Sequence, residues 1–316
     1  MNEIKKQATR DAYGEALVEL GNTRRDLIVL DADLAAATKT GMFKKAHPDR
    51  FFDCGIAEQN LIGVAAGLAA TGKLVFASSF AMFAAGRAFE QVRNSVGYPH
   101  LNVKIGATHA GISVGEDGAT HQCCEDIALM RTIPGMTIIN PADGVEAKKA
   151  VFAAALLDGP VYMRFGRLAL PTIFDEAYKF EIGKGVQLTD GTDIAIIATG
   201  LMVNEALIAA ETLKNEGISA RVLNIHTIKP LDRDLVLEAA KQTGAIVTAE
   251  EHSVIGGLGG AVSEFLSETL PVPVLKVGVQ DTFGMSGPAL EVLKHFGLTA
   301  EDIVAKSKEA IALRNA

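Results

Sequence analysis

The sequence predicts an α/β protein made of two doubly wound domains, and three observations lead to that prediction. Short apolar runs alternate with longer segments of helical period, as expected for parallel strands joined by crossover helices. The 316 residues are 48% hydrophobic, which is enough for a sizeable core and about two domains. Aromatic residues make up only 6%, tryptophan is absent, and glycine and alanine are abundant. This composition suits helices packed closely on sheets and disfavours a β-sandwich.

Five short apolar runs in the first half predict the strands of one sheet. Most are followed by a segment of helical period, and they cover 26–33, 73–79, 101–107, 136–141 and 160–165. The clearest helices are 10–20, 57–71 and 80–96. Gly72 follows the second of these helices and suits the left-handed residue that ends many helices.

Between 171 and 192 the apolar period lapses, and a proline and three glycines interrupt the chain. We therefore predict a first domain over 1–175, a linker over 176–190 and a second, smaller doubly wound domain over 191–316. The strands expected in the second domain are 193–199, 219–225, 244–250 and 272–278. Its expected helices are 202–216, 231–241, 257–268, 288–295 and 299–314.

Charge and cysteine content exclude several classes of function. Lys and Arg total 30 against 38 for Asp and Glu, so a net charge of −8 argues against binding to nucleic acid or an anionic membrane. No run reaches the roughly 20 apolar residues that cross a bilayer, and the N-terminus is polar instead of signal-like. Cys54, Cys123 and Cys124 are too few for a disulfide framework. We expect a cytoplasmic protein.

Glu58 and two phenylalanines are the first candidates for chemistry. Glu58 opens GIAEQNLIGVAAGLAATGK, which is apolar on nearly every helical face, so this helix is predicted to be buried. Its carboxylate either complements the helix dipole or is a functional acid whose protonated form is favoured by removal from water. Phe80 and Phe83 are expected to share one helix face, as core residues or as a wall beside a flat heterocycle.

The run GATHAGISVGEDGATHQ, residues 106–122, is the most unusual segment. It sets two histidines and two acids among small residues, so we predict a ligand-binding loop after a strand. The spacing of the histidines does not match a usual metal site, so no metal is predicted in this chain. GGLGG at 256–260 lacks the features of a P-loop or dinucleotide motif and is explained by close helix packing.

Eight segments taken together, in order, resemble the C-terminal half of transketolase, and the likeness spans essentially the whole chain. They are ATRDAYGEAL, DADLAAATKTGMFKKAHPDRF, DCGIAEQN, SSFAMF, THAGISVGEDGATHQ, GPVYMRFGR, TIKPLD and AEEHSVIGGLGGAVSEF. The resemblance implies that 1–175 is a thiamine diphosphate pyrimidine-binding domain and 191–316 a transketolase C-terminal domain.

The resemblance also implies where the cofactor binds. Glu58 is expected to hydrogen-bond a ring nitrogen of the aminopyrimidine, Phe80 and Phe83 to stack on that ring, and Asp33 to lie near the cofactor. Gly86 stands where larger transketolases have a third aromatic residue, so the aromatic wall departs from the family there.

A sugar channel is implied as well, lined by His109, Asp117 and His121. With Glu58, the two histidines are the expected catalytic residues, because imidazole can move protons near neutral pH or bind hydroxyls. Through the cofactor's carbanion, a two-carbon ketol unit would pass from a ketose phosphate to an aldose phosphate, as in the pentose phosphate pathway.

The sugar phosphate is expected to contact Arg10, His109 and an arginine of RFGR, either Arg164 or the better-placed Arg167. Guanidinium groups suit phosphate because each presents a planar fork of donors. Ala37 stands where many transketolases carry a serine on the phosphate, so one hydroxyl contact is replaced or missing.

The family holds magnesium and the diphosphate with a GDG motif and a downstream asparagine, which this sequence lacks. The expected partner is therefore a separate N-terminal transketolase subunit that carries the diphosphate-binding domain and Mg²⁺. Two copies of each chain would form an α2β2 heterotetramer with shared active sites. Three alternatives remain: the beta subunit of a 2-oxo acid dehydrogenase, a deoxyxylulose-phosphate synthase-like enzyme, and a non-catalytic subunit.

Overall fold

The computed structural model describes residues 6–316, and its strands form two mainly parallel sheets and a short two-stranded ribbon. In chain order the strands are β1 (Lys6–Ala8), β2 (Leu27–Asp31), β3 (Phe51–Asp53), β4 (Leu74–Phe80), β5 (Val103–Thr108), β6 (Thr137–Ile139), β7 (Val161–Arg164), β8 (Ala169–Pro171), β9 (Val186–Thr189), β10 (Ile194–Ala198), β11 (Ala220–Asn224), β12 (Thr227–Lys229), β13 (Ile246–Ser253) and β14 (Val274–Val279).

Helices cover the faces of these sheets, as the alternating pattern predicts. In chain order they are α1 (Thr9–Thr23), α2 (Ala35–Thr38), α3 (Thr40–Ala46), α4 (Glu58–Ala70), α5 (Phe89–Gln91), α6 (Asp126–Arg131), α7 (Gly144–Leu156), α8 (Met202–Asn215), α9 (Arg233–Thr243), α10 (Leu258–Thr269), α11 (Ala289–His295) and α12 (Ala300–Asn315). Among residues 6–316, no helix combines the length and the apolar character needed to span a membrane.

The first sheet has the strand order β12-β6-β7-β5-β4-β2-β3, and all its neighbours are parallel except β12 on β6. Its central strands are almost completely buried, which explains why they are continuous apolar runs instead of alternating ones. After β2 the chain forms β3 on one side of β2, and it then crosses over β2 to form β4 on the other side. The direction in which strands are added to the sheet therefore reverses between β2 and β4.

The second sheet has the order β14-β13-β10-β11-β9, in which only β9 is antiparallel. Its winding reverses between β10 and β13, and the fold class of two doubly wound domains is confirmed. Apolar residues of both halves meet in one core cluster, which includes Ile105 and Leu30 from the first sheet and Ile197 and Val236 from the second half.

Three local predictions differ from the structure. Val186–Thr189, in the predicted linker, forms edge strand β9. Thr227–Lys229 leaves the second half and pairs with β6 of the first sheet. The single helix expected over 80–96 begins later and contains two π-helical segments, Met82–Arg87 and Val92–Gly97, with Phe80 ending strand β4. Extra residues in such wide turns disturb the regular helical period on which the prediction rested.

Helix α4 is also less enclosed than its composition predicts. Leu61 and Ile62 lie on its buried face, whereas Gly63, Val64 and Gly67 are exposed. Its exposed residues are mostly polar or small, so they present little apolar surface to water: Gln59, Asn60, Gly63, Val64, Gly67 and Ala70. The high apolar fraction therefore did not require burial on every side.

The junction between the halves depends on Glu146, a fully buried carboxyl in the first turn of α7. Its Oε2 accepts a hydrogen bond from the Ala142 amide at 2.7 Å. Its Oε1 accepts from the hydroxyl of Tyr178 at 2.7 Å and from Nδ2 of Asn224 at 2.8 Å. Glu146 thus joins the first domain, the connecting segment and strand β11. Burial raises the pKa of Glu146 to about 7, although these hydrogen bonds oppose the shift.

Because the pKa of Glu146 is raised on folding, its contribution to stability is present below pH 4.5 and is lost as pH rises to about 7. We predict that Glu146→Gln removes this loss, which amounts to about 3 kcal/mol at 1.36 kcal/mol per pKa unit. Urea unfolding of both proteins between pH 4.5 and 8 measures it. Parallel curves of unfolding free energy against pH for the two proteins would contradict the prediction.

Candidate active site

The candidate residues follow the carboxyl ends of five adjacent strands of the first sheet. Asp33 follows β2, Glu58 follows β3, Phe80 ends β4, His109 follows β5 and Arg167 follows β7. Because these strands are parallel, their carboxyl ends lie along one edge, and the winding of the chain reverses within that edge. Ligands of doubly wound proteins bind at such a reversal. The structure therefore collects residues that are far apart in sequence.

Glu58 is the first residue of α4, and only 2% of it is exposed. Its Oε2 accepts a hydrogen bond from Nη1 of Arg87 at 2.7 Å. The Arg87 guanidinium lies over the ring of Phe83, 4.6 Å from the ring centroid. Both Arg87 and the N-terminus of α4 stabilise negative charge on the carboxylate. Within residues 6–316, Oε1 of Glu58 makes no hydrogen bond and is free to accept one.

Four rings form an aromatic cluster beside Glu58. Phe80 and Phe83 stack with centroids 5.8 Å apart and an interplanar angle of 14°. His109 stacks on Phe80 at 3.8 Å, and the edge of His121 meets Phe83 at 5.4 Å. The two phenylalanines lie together as predicted, although one belongs to a strand and the other to a π-helical turn. Phe80 is buried between His109 and Phe83, so partly exposed Phe83 is the ring through which this pair meets solvent, and Arg87 links it to Glu58.

His109 is held as a neutral ring in one tautomer. Its Nε2 lies 2.8 Å from Nη1 of Arg10, and its Nδ1 lies 2.9 Å from Oγ1 of Thr108. Since a guanidinium only donates, Nε2 accepts, and Nδ1 carries the proton and donates to Thr108. Burial, followed by the charges of Arg10 and Arg167, lowers the pKa of His109 to about 3. A neutral ring with both nitrogens occupied is better suited to orienting Arg10 than to the proton transfer expected of His109.

His121 lies in a different environment. It is partly exposed, its Nδ1 lies 2.9 Å from Oγ1 of Thr120, and in the described part of the chain its Nε2 makes no hydrogen bond. Asp117, four residues earlier, is exposed in a short 3-10 turn spanning Gly115–Asp117. Both side chains can therefore meet a ligand arriving from solvent.

Two arginines provide positive charge near His109. Arg10 donates to the carbonyl oxygen of Ala37 at 3.2 Å, and its buried Nε has no partner among residues 6–316. Burial lowers the pKa of Arg10, as does the charge of Arg167. Arg167 donates to the Val114 carbonyl oxygen at 2.6 Å and remains partly exposed. An anion placed between the two guanidinium groups would relieve their mutual repulsion.

Asp33 is an exposed residue in the left-handed conformation, with φ of 61°, and its amide donates to Oδ1 of Asp53 at 3.0 Å. The turn that carries it is held by buried Asp31, whose Oδ2 accepts from the hydroxyls of Thr38 at 2.7 Å and Thr40 at 2.8 Å. Burial raises the pKa of Asp31 to about 6. Asp33 therefore lies at the sheet edge on a fixed turn.

Arg164 does not join the arginines at the edge. It is 3% exposed, and its Nε donates to Oδ2 of Asp126 at 2.9 Å. Its Nη2 donates to the carbonyl oxygens of Cys123 and Glu251. Burial alone would lower the pKa of Arg164, but Asp126 and Glu251 raise it. Arg164, expected as an alternative to Arg167 at the sugar phosphate, is therefore buried with its Nε and Nη2 bonded inside the protein, whereas Arg167 is partly exposed.

Two contributors were not singled out from the sequence. Arg87 lies four residues after Phe83, so a cation one turn from an aromatic residue was the available signal. Thr108 precedes His109 directly, but only the backbone geometry shows that its hydroxyl selects the histidine tautomer.

Comparison with known proteins identifies the family of both halves of the chain. The family model described as transketolase, pyrimidine binding domain matches residues 5–172, and the one described as transketolase, C-terminal domain matches 183–303. A putative transketolase C-terminal section of Methanocaldococcus jannaschii is 54% identical over 303 residues, covering 95% of each chain. A 6-deoxy-6-sulfo-D-fructose transketolase subunit of a Clostridium species is 45% identical over 313 residues, covering 99% of this chain and 97% of the relative.

Among solved structures, a split gene transketolase described as an inactive β4 tetramer superposes with a TM-score of 0.91. It is 56% identical, and the likeness covers 97% of this chain and 99% of that one. The chain therefore belongs to the transketolase family, as a subunit of a split transketolase that carries the pyrimidine-binding and C-terminal domains.

Proposed function

We propose that this subunit transfers a two-carbon ketol unit from a ketose phosphate to an aldose phosphate, in a thiamine diphosphate-dependent active site shared with a second subunit. One observation carries the proposal: buried Glu58 and the Phe80–Phe83 pair lie on the same sheet edge as Arg10, whose buried Nε has no partner among residues 6–316, and Arg167, which is partly exposed and paired with Glu116 at 3.1 Å. This supports a site for a flat ring beside a site for a charged sugar.

The residues present fit the ring of the cofactor. A carboxylate with one free oxygen can accept a hydrogen bond from a protonated ring nitrogen, and partly exposed Phe83, backed by Phe80, is the aromatic side chain available for contact with the ring. When bound, thiamine diphosphate supplies a nucleophilic carbon and an electron sink for cleaving the ketose. Glu58 holds or gives a proton at the ring nitrogen, and Arg87 holds the carboxylate in place through its hydrogen bond to Oε2.

His121 and His109 have different roles at the sugar. His121 has a free Nε2 and moves protons at the hydroxyls of the ketose, with Asp117 as a hydrogen-bond acceptor beside it. His109 is neutral and orients Arg10 toward the anion. Asp33 lies near the cofactor on its fixed turn.

The substrates we propose are sugar phosphates of the pentose phosphate type. Arg10 and Arg167 recognise the phosphate, and the Ala37 carbonyl oxygen accepts a hydrogen bond from Arg10 at 3.2 Å. The Clostridium relative is named for a sugar that carries a sulfonate, which is also an anion. That name supports an anionic group at this end of the sugar.

The partner we propose is an N-terminal subunit that binds Mg²⁺ and the diphosphate, in an α2β2 heterotetramer. Among residues 6–316 there is no group of three or more His, Cys, Asp and Glu side chains arranged to hold a metal ion. The related β4 tetramer is described as inactive, which supports dependence on a second subunit. The three cysteines are free thiols, as a cytoplasmic location favours.

We predict that the purified chain shows no ketol transfer until the N-terminal subunit, thiamine diphosphate and Mg²⁺ are added. Half of the site is expected to lie on the other subunit, so mixing restores activity and yields a species of two chains of each kind. A coupled assay and light scattering measure both. Full activity of this chain alone would contradict the shared site, and decarboxylation of a 2-oxo acid would favour the dehydrogenase alternative.

Glu58→Gln is expected to lower kcat of the complex by about 10²-fold or more, because an amide cannot take a proton from the ring. Assembly and melting temperature should stay as in the wild type. Glu268, exposed on α10, provides the matched control, since Glu268→Gln changes the same charge far from the site. A Glu58→Gln complex with the wild-type rate would support a non-catalytic subunit.

Replacing Arg167 with Gln is expected to raise KM for a phosphorylated ketose about 10–100-fold, since a charged hydrogen bond contributes about 1.5–3 kcal/mol. A ketose without phosphate should be used about as well as by the wild type. The same kinetics with Arg25→Gln, an exposed arginine distant in sequence, give the control. Equal effects on both sugars would show that Arg167 does not contact the phosphate.

A further inference from the structure

Two adjacent glutamates on β13 are buried and yet serve different halves of the molecule. Glu250 is 1% exposed and Glu251 is 4% exposed. Consecutive residues of a strand point to opposite faces, and the two carboxyl groups accordingly bind different partners. Glu250 accepts hydrogen bonds from the amides of Leu258 at 2.7 Å and Gly259 at 2.8 Å, where α10 of its own domain begins.

Glu251 reaches the other way, into the loop that follows β5 of the first sheet. Its Oε1 accepts a hydrogen bond from the Ser113 amide at 2.6 Å. The loop is fitted tightly around this carboxyl, because a Cβ on Gly111 would overlap it. Gly111 also has φ of 79°, a conformation suited to glycine. The second domain thus fixes the course of a loop that belongs to the candidate active site.

The position of this loop determines where the proposed anion-binding side chains lie. The residue after Ser113 is Val114, whose carbonyl oxygen accepts the 2.6 Å hydrogen bond from Arg167. His109, which orients Arg10, lies four residues before Ser113. A shift of the Ser113 backbone therefore moves the acceptor that holds Arg167, while Glu58 in α4, Phe80 in β4 and Phe83 in the following π-helical turn lie in other segments.

Glu251 lies beside Arg164, whose Nη2 donates to the carbonyl oxygen of Glu251 at 2.8 Å. Burial raises the pKa of Glu251 to about 6, although the charge of Arg164 and the hydrogen bond from Ser113 oppose the shift. Ser113, Arg164 and Glu251 also line a cavity of about 10 Å³, which is room for about one water molecule. Removing the side chain would leave the Ser113 amide buried without its acceptor.

We propose that Glu251 is a positioning residue of the C-terminal domain, which holds the 109–114 loop so that Arg167 and Arg10 bind the anionic group of the sugar. This inference rests on the proposed function. It assigns the C-terminal domain a role in substrate affinity through a single side chain that does not touch the substrate.

The test compares Glu251→Ala and Glu251→Gln in the complex with the N-terminal subunit. We expect Glu251→Ala to raise KM for a phosphorylated ketose about 10-fold, equivalent to about 1.4 kcal/mol, with kcat and the Kd of thiamine diphosphate within about twofold of the wild type. KM for an unphosphorylated ketose should hardly change. Glu251→Gln keeps an oxygen acceptor for the Ser113 amide and should restore most of the affinity.

Glu250 provides a matched control, since it is an equally buried glutamate on the same strand that accepts backbone hydrogen bonds and packs against Gly257. Glu250→Ala should lower the melting temperature at least as much as Glu251→Ala does, without changing the KM ratio of the two sugars. If both variants lower stability and neither changes that ratio, Glu251 has only a structural role and the proposal is overturned.

A direct binding measurement separates this proposal from the proposed function. Calorimetric titration of the complexes with a pentose 5-phosphate reports anion affinity without turnover. Weaker binding by Glu251→Ala supports the positioning role even if the wild-type complex shows no ketol transfer, which would refute the proposed function alone. Equal binding by the wild type and a folded Glu251→Ala complex would overturn the inference about Glu251.

Discussion

Parallel pairing of five neighbouring strands, β3, β2, β4, β5 and β7, is the constraint on which the candidate site depends. It brings residues from Asp33 to Arg167, more than a hundred positions apart, to one edge of one sheet. Successive side chains of a strand alternate between faces, so a slip of one residue in any of these pairs would turn its final side chain away. The buried apolar strands secure that register, and the loops after them are left to carry chemistry.

Much of the fold could be predicted from the sequence, because each buried parallel strand is itself a short apolar run. The runs at 26–33 and 193–199, for example, correspond to β2 and β10. What could not be predicted depends on distant partners. Strand β9, VQLT, alternates over only four residues, which is too short to stand out in a linker, and it pairs with β11. Phe80 was predicted to begin a helix because a strand that is buried on both faces shows no alternation of apolar and polar residues to mark where it ends.

For the site, residue types and the family resemblance named Glu58, both phenylalanines and the histidines, and the structure brings them together. Which ring nitrogen of His109 carries the proton could be assigned only from the structure. The neutral tautomer of His109 follows from its partners Arg10 and Thr108, and the structure shows Glu58 paired with Arg87. Arg164 shows the opposite case, since this arginine of RFGR is turned inward by Asp126, a partner 38 residues away.

Strand β12 has a consequence for how the protein is made. It belongs to the second half of the chain, yet it closes the β6 edge of the first sheet. During synthesis from the N-terminus, that edge stays open until residue 229 has left the ribosome, and an open edge is a template for pairing with other chains. The first sheet is therefore completed only after translation has passed well into the second domain, so the nascent first half depends on prompt elongation or on a chaperone to avoid self-association.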